Sequence, residues 1–460
     1  MKPGIFTHIA LMTLLAALLT SLPVAGQDGN SLSSAPRKVH YVVKDLGTLG
    51  GAEGVAEGIS DRGWVVGSAN LAGDLNGHAF LWRDGVMTDL GTLGGQNSQE
   101  QWPVKDNRGL IVGSAETSTL DPLKEDFCGF HANSGVPSTG LICLGFLWQH
   151  AVMTALPTLG GNNAQAVGVN DLGQVVGFAE QSTQYQNCSL PQVLDIQAVV
   201  WEPSGEIDTL APLPGDLSAW AIGINNYGQV IGVSGDCVSP NFNGNGGTTP
   251  QHVVIWQHGA VTNLKTLGGS SAFPSAINSR GQVAGESNLA GDTNFHTFLW
   301  TQDSGMQDLK TLPGDVNSGA FGLNDQGAVV GGSCDVNVNC RAFLWENGVM
   351  TDLNSLVTPG STPLYLIFGN DINSRGEIAT YACLGCLPPG IPEFHAALAI
   401  PCDEQHTDIP ACAETTPTVA QTTASVTVAP ATTGNSKVTL PENVRKLLQN
   451  RMRFGRFGVR

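Results

Sequence analysis

The chain has 460 residues, 58 of them glycine, and carries 39 acidic against 21 basic side chains for a formal net charge of −18. Without the first 26 and last 24 residues the balance is 13 basic against 38 acidic, a net of −25, which repels phosphate backbones and counts against nucleic acid as a partner. Gly, Asn and Pro interrupt the apolar runs after four to six residues, which counts against helical repeats.

Residues 1–26 open with Lys2, run apolar from Ile5 to Leu22 and end in the small residues Val24-Ala25-Gly26. This pattern reads as a signal peptide, with Gln27 as the mature N-terminus and a secreted or extracellular location. No other stretch is apolar for long enough to span a bilayer, so no transmembrane segment is expected. Residues 27–39 are a polar lead.

From 40 to 401 one cycle recurs. It consists of an apolar segment ending in an Asn/Asp-Gly turn, a Val-Val-Gly strand, an aromatic strand, and a Val-Met-Thr-Asp-Leu strand leading into Leu-Gly-Gly. The glycines of Val65-Val66-Gly67 and its successors, with Ala379 in the weaker seventh copy, are spaced by 46, 64, 55, 53, 46 and 48 residues. That is the length of a four-stranded propeller blade with insertions. Tyr41 to Leu46 matches the fourth part of the cycle but precedes the first copy of the others, whereas the seventh copy stops after its third part, His395 to Ile400. The two remnants make one blade. The expected fold is therefore all-β, a seven-bladed β-propeller of four-stranded blades closed by the N-terminal strand completing the last blade. An open, capped solenoid leaves the phase shift unexplained.

Within the cycle, the recurring Trp82, Trp148, Trp201, Trp256, Trp300 and Trp345 are expected to pack between blades rather than to bind ligand. Asn170 and Gly173, and Asn324 and Gly327, fit a turn with a side-chain acceptor at its start and positive φ at its end. Asp61 and Gly63, Asn278 and Gly281, and Asn373 and Gly376 are read into the same places. Turn chemistry thus accounts for the recurring acids without catalysis. Gly73-Asp74-Leu75-Asn76 and Gly291-Asp292-Thr293-Asn294 each space two oxygen ligands as some calcium loops do, but lack further carboxylates and read as ordinary turns. His78, His252, His296 and His395 begin the third strand, with Arg341 in their place once; no paired ligand spacing surrounds them, and packing or hydrogen bonding is the expected role. No Gly-Lys-Ser/Thr loop, Rossmann fingerprint or Gly-x-Ser-x-Gly elbow is present. Catalytic residues are therefore unassigned, and no metal or cofactor is expected.

Insertions between second and third strands, at 115–145, 180–197, 234–251 and 382–394, fall on one propeller face, the expected recognition face. Ten cysteines favour disulfides in an exported chain, with proximity suggesting 128–143, 334–340, 383–386 and 402–412 and leaving 188–237. Cys383-Leu-Gly-Cys386 reads as a tight disulfide, since no second Cys-x-x-Cys completes a zinc site. Residues 402–436 are a Cys-containing then Thr/Pro-rich linker. The basic tail, 437–460, predicts a helix after Pro441 with Val444, Leu447, Leu448 and Met452 on one side; it could meet an anionic surface, a membrane headgroup layer or the propeller itself.

His78-Ala79-Phe80-Leu81-Trp82 and Asp89-Leu90-Gly91-Thr92-Leu93-Gly94-Gly95 resemble the repeat of the HAF family of probable extracellular repeat proteins, over nearly all of 40–400. Gly145-Phe146, Ala198-Val199, Val253-Val254, Thr297-Phe298 and Arg341 depart from the signature. The resemblance implies export and a repeat fold and brings no catalytic residues. The expected function is that of a binding or scaffold module acting through loops on one face, with a glycan or protein ligand. The alternatives are a carbohydrate-active propeller enzyme, hydrolase or lyase, and a passive cell-surface component.

Overall fold

A computed structural model of the chain describes residues 39–100, 107–130, 137–185, 193–236, 251–386, 392–407, 409–413 and 438–451. The segment read as a signal peptide, nearly all of the polar lead, Cys188, Cys237, residues 414–436 of the linker and, of the basic tail, 437 and 452–460 with Met452 lie outside them.

Twenty-eight strands form seven antiparallel blades of four. Blade 1 runs outward from Gly50–Ile59 through Val65–Leu71 and Gly77–Arg83 to Val86–Asp89. Blades 2 to 6 repeat this order in sequence, and blade 7 combines Tyr365–Ile372, Ile378–Leu384 and Glu393–Pro401 with the N-terminal strand Tyr41–Gly47. The N-terminal strand pairs from Tyr41 opposite Pro401 to Gly47 opposite Ala396. The propeller is closed as the phase shift requires. Blades 7 and 1 also touch through a single parallel bridge, Glu53 to Phe394.

The Val-Val-Gly strand is buried on both faces because it lies inside its blade, between neighbouring blades. Its glycine is a matter of space. The inner strand is bulged between Ala56 and Gly58, and a Cβ at Gly67 would lie 2.0 Å from the Val55 carbonyl oxygen; at Gly331 the distance to Gly319 O is 1.9 Å. The aromatic strand fills the space between blades, with Phe80, Phe146, Phe298 and Phe343 fully buried. The cores accordingly straddle blade pairs; one joins Ala276, Ala284 and Leu299 of blade 5 to Ala320, Leu323 and Phe343 of blade 6.

The Asp-Leu-Gly-Thr-Leu-Gly-Gly phrase is the corner from an outer strand to the next inner one. Asp89 Oδ1 accepts the Gly91 N–H (2.8 Å), Thr92 Oγ1 accepts the Gly94 N–H (3.2 Å), and the Thr92 hydroxyl donates to Gly95 O (3.0 Å). Two local side-chain turns in a row fix the direction of the chain. A carboxylate from the second strand or its hairpin then clamps the far side. Glu116 Oε2 accepts the N–H of Gln96 (3.1 Å) and of Asn97 (3.0 Å), and Asp74 Oδ1 does the same for Ala52 (2.7 Å).

The inner turns bear out the side-chain-acceptor reading, with one correction of register. Asn170 Oδ1 accepts from Leu172 N–H (3.0 Å) and Gln174 N–H (3.0 Å), and Gly173 has φ +86°. In blade 1 the counterpart of Asn170 is Ser60, which closes the turn through Gly63 N–H to its carbonyl (2.9 Å). Asp61 stands one place later, beside Asp171, and its side chain reaches the neighbouring blade instead of its own turn.

Residues Glu442–Arg451 form a helix. Leu440, Val444 and Leu448 are buried in one cluster with Tyr365, Phe368, Tyr381 and the Cys334, Cys340, Cys383 and Cys386 side chains. Leu440 N–H donates to Asn339 Oδ1 (2.8 Å). Of the three surfaces considered for the tail, its apolar side takes the propeller. No helix among the described residues is long and apolar enough to cross a membrane.

Candidate functional site

Strand polarity gives the propeller two unlike ends. The insertions and the Leu-Gly-Gly corners share one end, here the insertion face; the inner Asn/Asp-Gly turns and the third-to-fourth-strand turns share the other, the turn face.

The histidines of the third strand are not a ligand set. Each pairs with a carboxylate beside it: His78 with Asp89 (2.8 Å), His252 with Asp216 (3.0 Å), His296 with Asp308 (2.9 Å) and His395 with Asp45 (2.8 Å). Arg341 substitutes by bridging Asp315 (3.2 Å) and Asp352 (3.1 Å). In blades 2 and 3, where Leu144 and Gln197 stand for the His, Ala155 and Thr209 stand for the Asp. In these two blades both partners are lost, whereas blade 4 keeps His252 with Asn263 at the Asp position and takes its carboxylate from Asp216 of the preceding corner. The pairs fasten the third strand to the fourth or to that corner. The signal was present in the sequence as the joint loss of both residues in blades 2 and 3.

The two loops weighed as calcium sites are turns that work as clamps. Asp74 and Asp292 have φ of 55° and 54°, and their Oδ1 atoms accept the N–H of Ala52 (2.7 Å) and Ser270 (2.7 Å). Among the described residues no three His, Cys, Asp or Glu side chains converge as metal ligands would.

On the insertion face, disulfides join Cys128 to Cys143, Cys334 to Cys340 and Cys383 to Cys386; Cys402 to Cys412 ties the segment after blade 7. Four of the pairings suggested by proximity are thus present, and 188–237 lies outside the described residues. The blade 2 insertion folds inward through Phe127 and Phe130, which pack with Phe178, Trp220 and Phe273. It is also fastened by acids. Buried Glu125 accepts Val193 N–H (2.6 Å) and hydrogen-bonds Glu180 of blade 3, whose Oε2 accepts Asn163 N–H (2.8 Å). Burial, reinforced by the charge of Glu125, pushes Glu180 up to about 8. Burial also raises Glu125. Two enclosed carboxyls sharing a proton hold a loop; with 2 % and 0 % exposure they offer no access to substrate. Around this fixed ground Leu75, Leu120, Leu123, Leu217 and Val336 are exposed.

Glu286 is different. It points from blade 5 towards Gly319 of blade 6, where an added Cβ would come within 2.7 Å of its Oε2. Burial pushes it up to about 8 although it keeps some accessible surface. Sequence reasoning passed over it because nothing around Gly285-Glu286-Ser287 departs from strand composition.

The turn face holds a cavity of about 290 Å³ at the centre of the ring, lined by the inner turns of the blades. Its rim is a circle of bonds between blades. Asn170, Asn225, Asn278, Asn324 and Asn373 each donate a side-chain N–H to the equivalent carbonyl of the following blade, at 3.0–3.1 Å. The next residue of five of these turns adds a second bond, as where Asp61 N–H reaches Asn107 Oδ1 (2.9 Å) and Ser374 N–H reaches Asp61 Oδ1 (2.8 Å). Sequence reasoning saw these residues as turns; their convergence follows only from closure of the ring.

No family model matches the chain, and no curated protein does. Solved structures similar to it include streptogramin B lyase, at 9% identity over 79% of this chain and 98% of that one with a TM-score of 0.41. TolB from Acinetobacter baumannii is similar at 12% identity, over 69% of this chain and 61% of TolB, with a TM-score of 0.37. Dipeptidyl peptidase 4 from Porphyromonas gingivalis is similar at 10% identity, over 71% and 50%, with a TM-score of 0.32. Likenesses this distant carry nothing about ligand or chemistry, and the propeller rests on its own strand pairing.

Proposed function

We propose that the chain is an exported binding module of the HAF-like repeat type, which presents its insertion face to a glycan or protein ligand. The supporting observation is that loops on this face are tied by disulfides and internal packing, yet expose Leu120, Leu123 and Val336. Rigid loops with exposed apolar side chains lose little conformational entropy on binding and gain from covering those side chains. The four described disulfides fit an oxidising compartment, in keeping with export.

The test is a glycan array and an array of extracellular proteins, both probed with the whole chain. Binding confined to one ligand class and weakened about tenfold or more by Leu120→Ser with Val336→Ser, at unchanged Tm, is the expected result. Silence on both arrays, or binding indifferent to the two substitutions, would sink the reading.

A further inference from the structure

The circle of bonds at the turn face is broken twice. At the junction of blades 4 and 5 the residue that should offer an acceptor is Ser279, and at that of blades 6 and 7 it is Ser374. Serine is too short to reach back. Asp171 N–H finds Asn226 Oδ1 (2.9 Å) and Ser279 N–H finds Asp325 Oδ1 (2.9 Å), but the N–H groups of Asn226 and Asp325 have no hydrogen-bond partner among the described residues. Both line the 290 Å³ cavity.

The lining therefore offers two free backbone donors, each next to a serine hydroxyl, together with the carboxylates of Asp61, Asp171 and Asp325. Its floor is apolar, formed by Ile59, Ile224, Ile277 and Ile372. No Lys, Arg or His is among the described lining residues; Arg280 reaches the Asp325 carbonyl from beside the cavity, but an anion inside it meets three carboxylates. An alkylammonium would suit the carboxylates but leave both N–H groups unpaired. A hydroxyl group satisfies both kinds of neighbour, accepting from the N–H and donating to a carboxylate. Several hydroxyls on one compact ring can meet both junctions while the C–H surface rests on the isoleucines. The volume, near the lower end of small-molecule pockets, suits one such ring.

We infer that the cavity on the turn face is a binding site for a small neutral polyol of monosaccharide size, held at the two junctions where Ser279 and Ser374 leave the circle open. This site is separate from the insertion face and stands whether or not that face binds a ligand.

Glucose, galactose, mannose and myo-inositol titrated calorimetrically into the whole chain test it, with inorganic phosphate and putrescine as the other arms. At least one polyol should saturate in the millimolar range. Ser279→Asn and Ser374→Asn each place a side-chain oxygen acceptor where the other blades have that of an Asn or Asp. Each should weaken that binding about tenfold or more without lowering Tm, whereas Leu120→Ser with Val336→Ser should leave it unchanged. Absence of polyol binding, binding that survives both asparagine substitutions, or preferential binding of putrescine or phosphate would overturn the inference.

Discussion

Glycine 331 and glutamate 180 show how little freedom single positions have in this propeller. An alanine methyl at Gly331 would stand 1.9 Å from a carbonyl oxygen of the adjacent strand, so the backbone must move. Gly331→Ala should cost about 3 kcal/mol, read as a drop in the urea midpoint. At Glu180 the consequence is a pH dependence. Its folded-state pKa, about 8, lies above the ordinary 4.5, so the unfolded chain releases this proton first. Stability linked to Glu180 is whole below 4.5 and is lost as pH rises towards 8, at a slope of at most about 1.4 kcal/mol per pH unit. Glu180→Gln keeps an acceptor for Asn163 N–H and has no proton to lose. Its melting temperature should vary less between pH 5 and 8 than that of the native chain. An equal pH dependence in both proteins would refute the shared proton.

Among the elements, the N-terminal strand and the C-terminal helix are held in different ways. The strand is fastened by its ladder and by the His395–Asp45 pair. The hydrogen bond that His395 donates to Asp45 raises the histidine's pKa against the effect of burial. Burial pushes Asp45 up, but the hydrogen bonds of His395 and Gly47 N–H outweigh it and hold Asp45 low. The aspartate's contribution is present above its ordinary 3.8 and lost as pH falls through its lowered pKa; the histidine's is present below 6.5 and lost as pH rises through its raised one. The seam is therefore strongest between those values. Asp45→Asn should lose about 0.5–1 kcal/mol there and less outside, by chemical denaturation at several pH values. The helix depends chiefly on apolar burial, with hydrogen bonds from Leu440 N–H to Asn339 and from Arg445 to the Asn337 carbonyl beside it. Val444→Asp should release it and raise amide exchange over 442–451 while the blades keep their protection.

The same elements show what a sequence discloses. Strand order, blade number and closure were legible because each blade repeats one four-part cycle punctuated by Gly, Asn and Pro, and because one part of the cycle was displaced from the end of the chain to its start. The His–Asp pair was half legible: the histidines stood out, but the partners of His78 and His296 lie eleven and twelve residues on, in a phrase that reads as turn chemistry, and those of His252 and His395 precede them by 36 and 350 residues. The register of Asp61 was misread because both members of Ser60-Asp61 are turn formers, and only the ladder distinguishes them. Glu125 with Glu180, Glu286 and the broken circle at Ser279 and Ser374 depend on which residues of distant blades meet. No local pattern carries that.

For the whole molecule, closure is one junction among seven, and the blade it completes is the only one built from both ends of the chain. Removing Tyr41–Gly47 exposes the edge of Glu393–Pro401. Such a protein should associate through that edge, eluting as oligomers in size-exclusion chromatography where the native chain is smaller. A monomer as stable as the parent would show that the seam is dispensable. The seam also sets an order of events in time. Each of the first six blades can zip up from neighbouring hairpins as it is made, but Tyr41 must wait for Pro401, 360 residues behind it. A chain threaded through a membrane N-terminus first thus sends out its latch long before the catch arrives. A chain exported in that way would lock only once Pro401 had crossed.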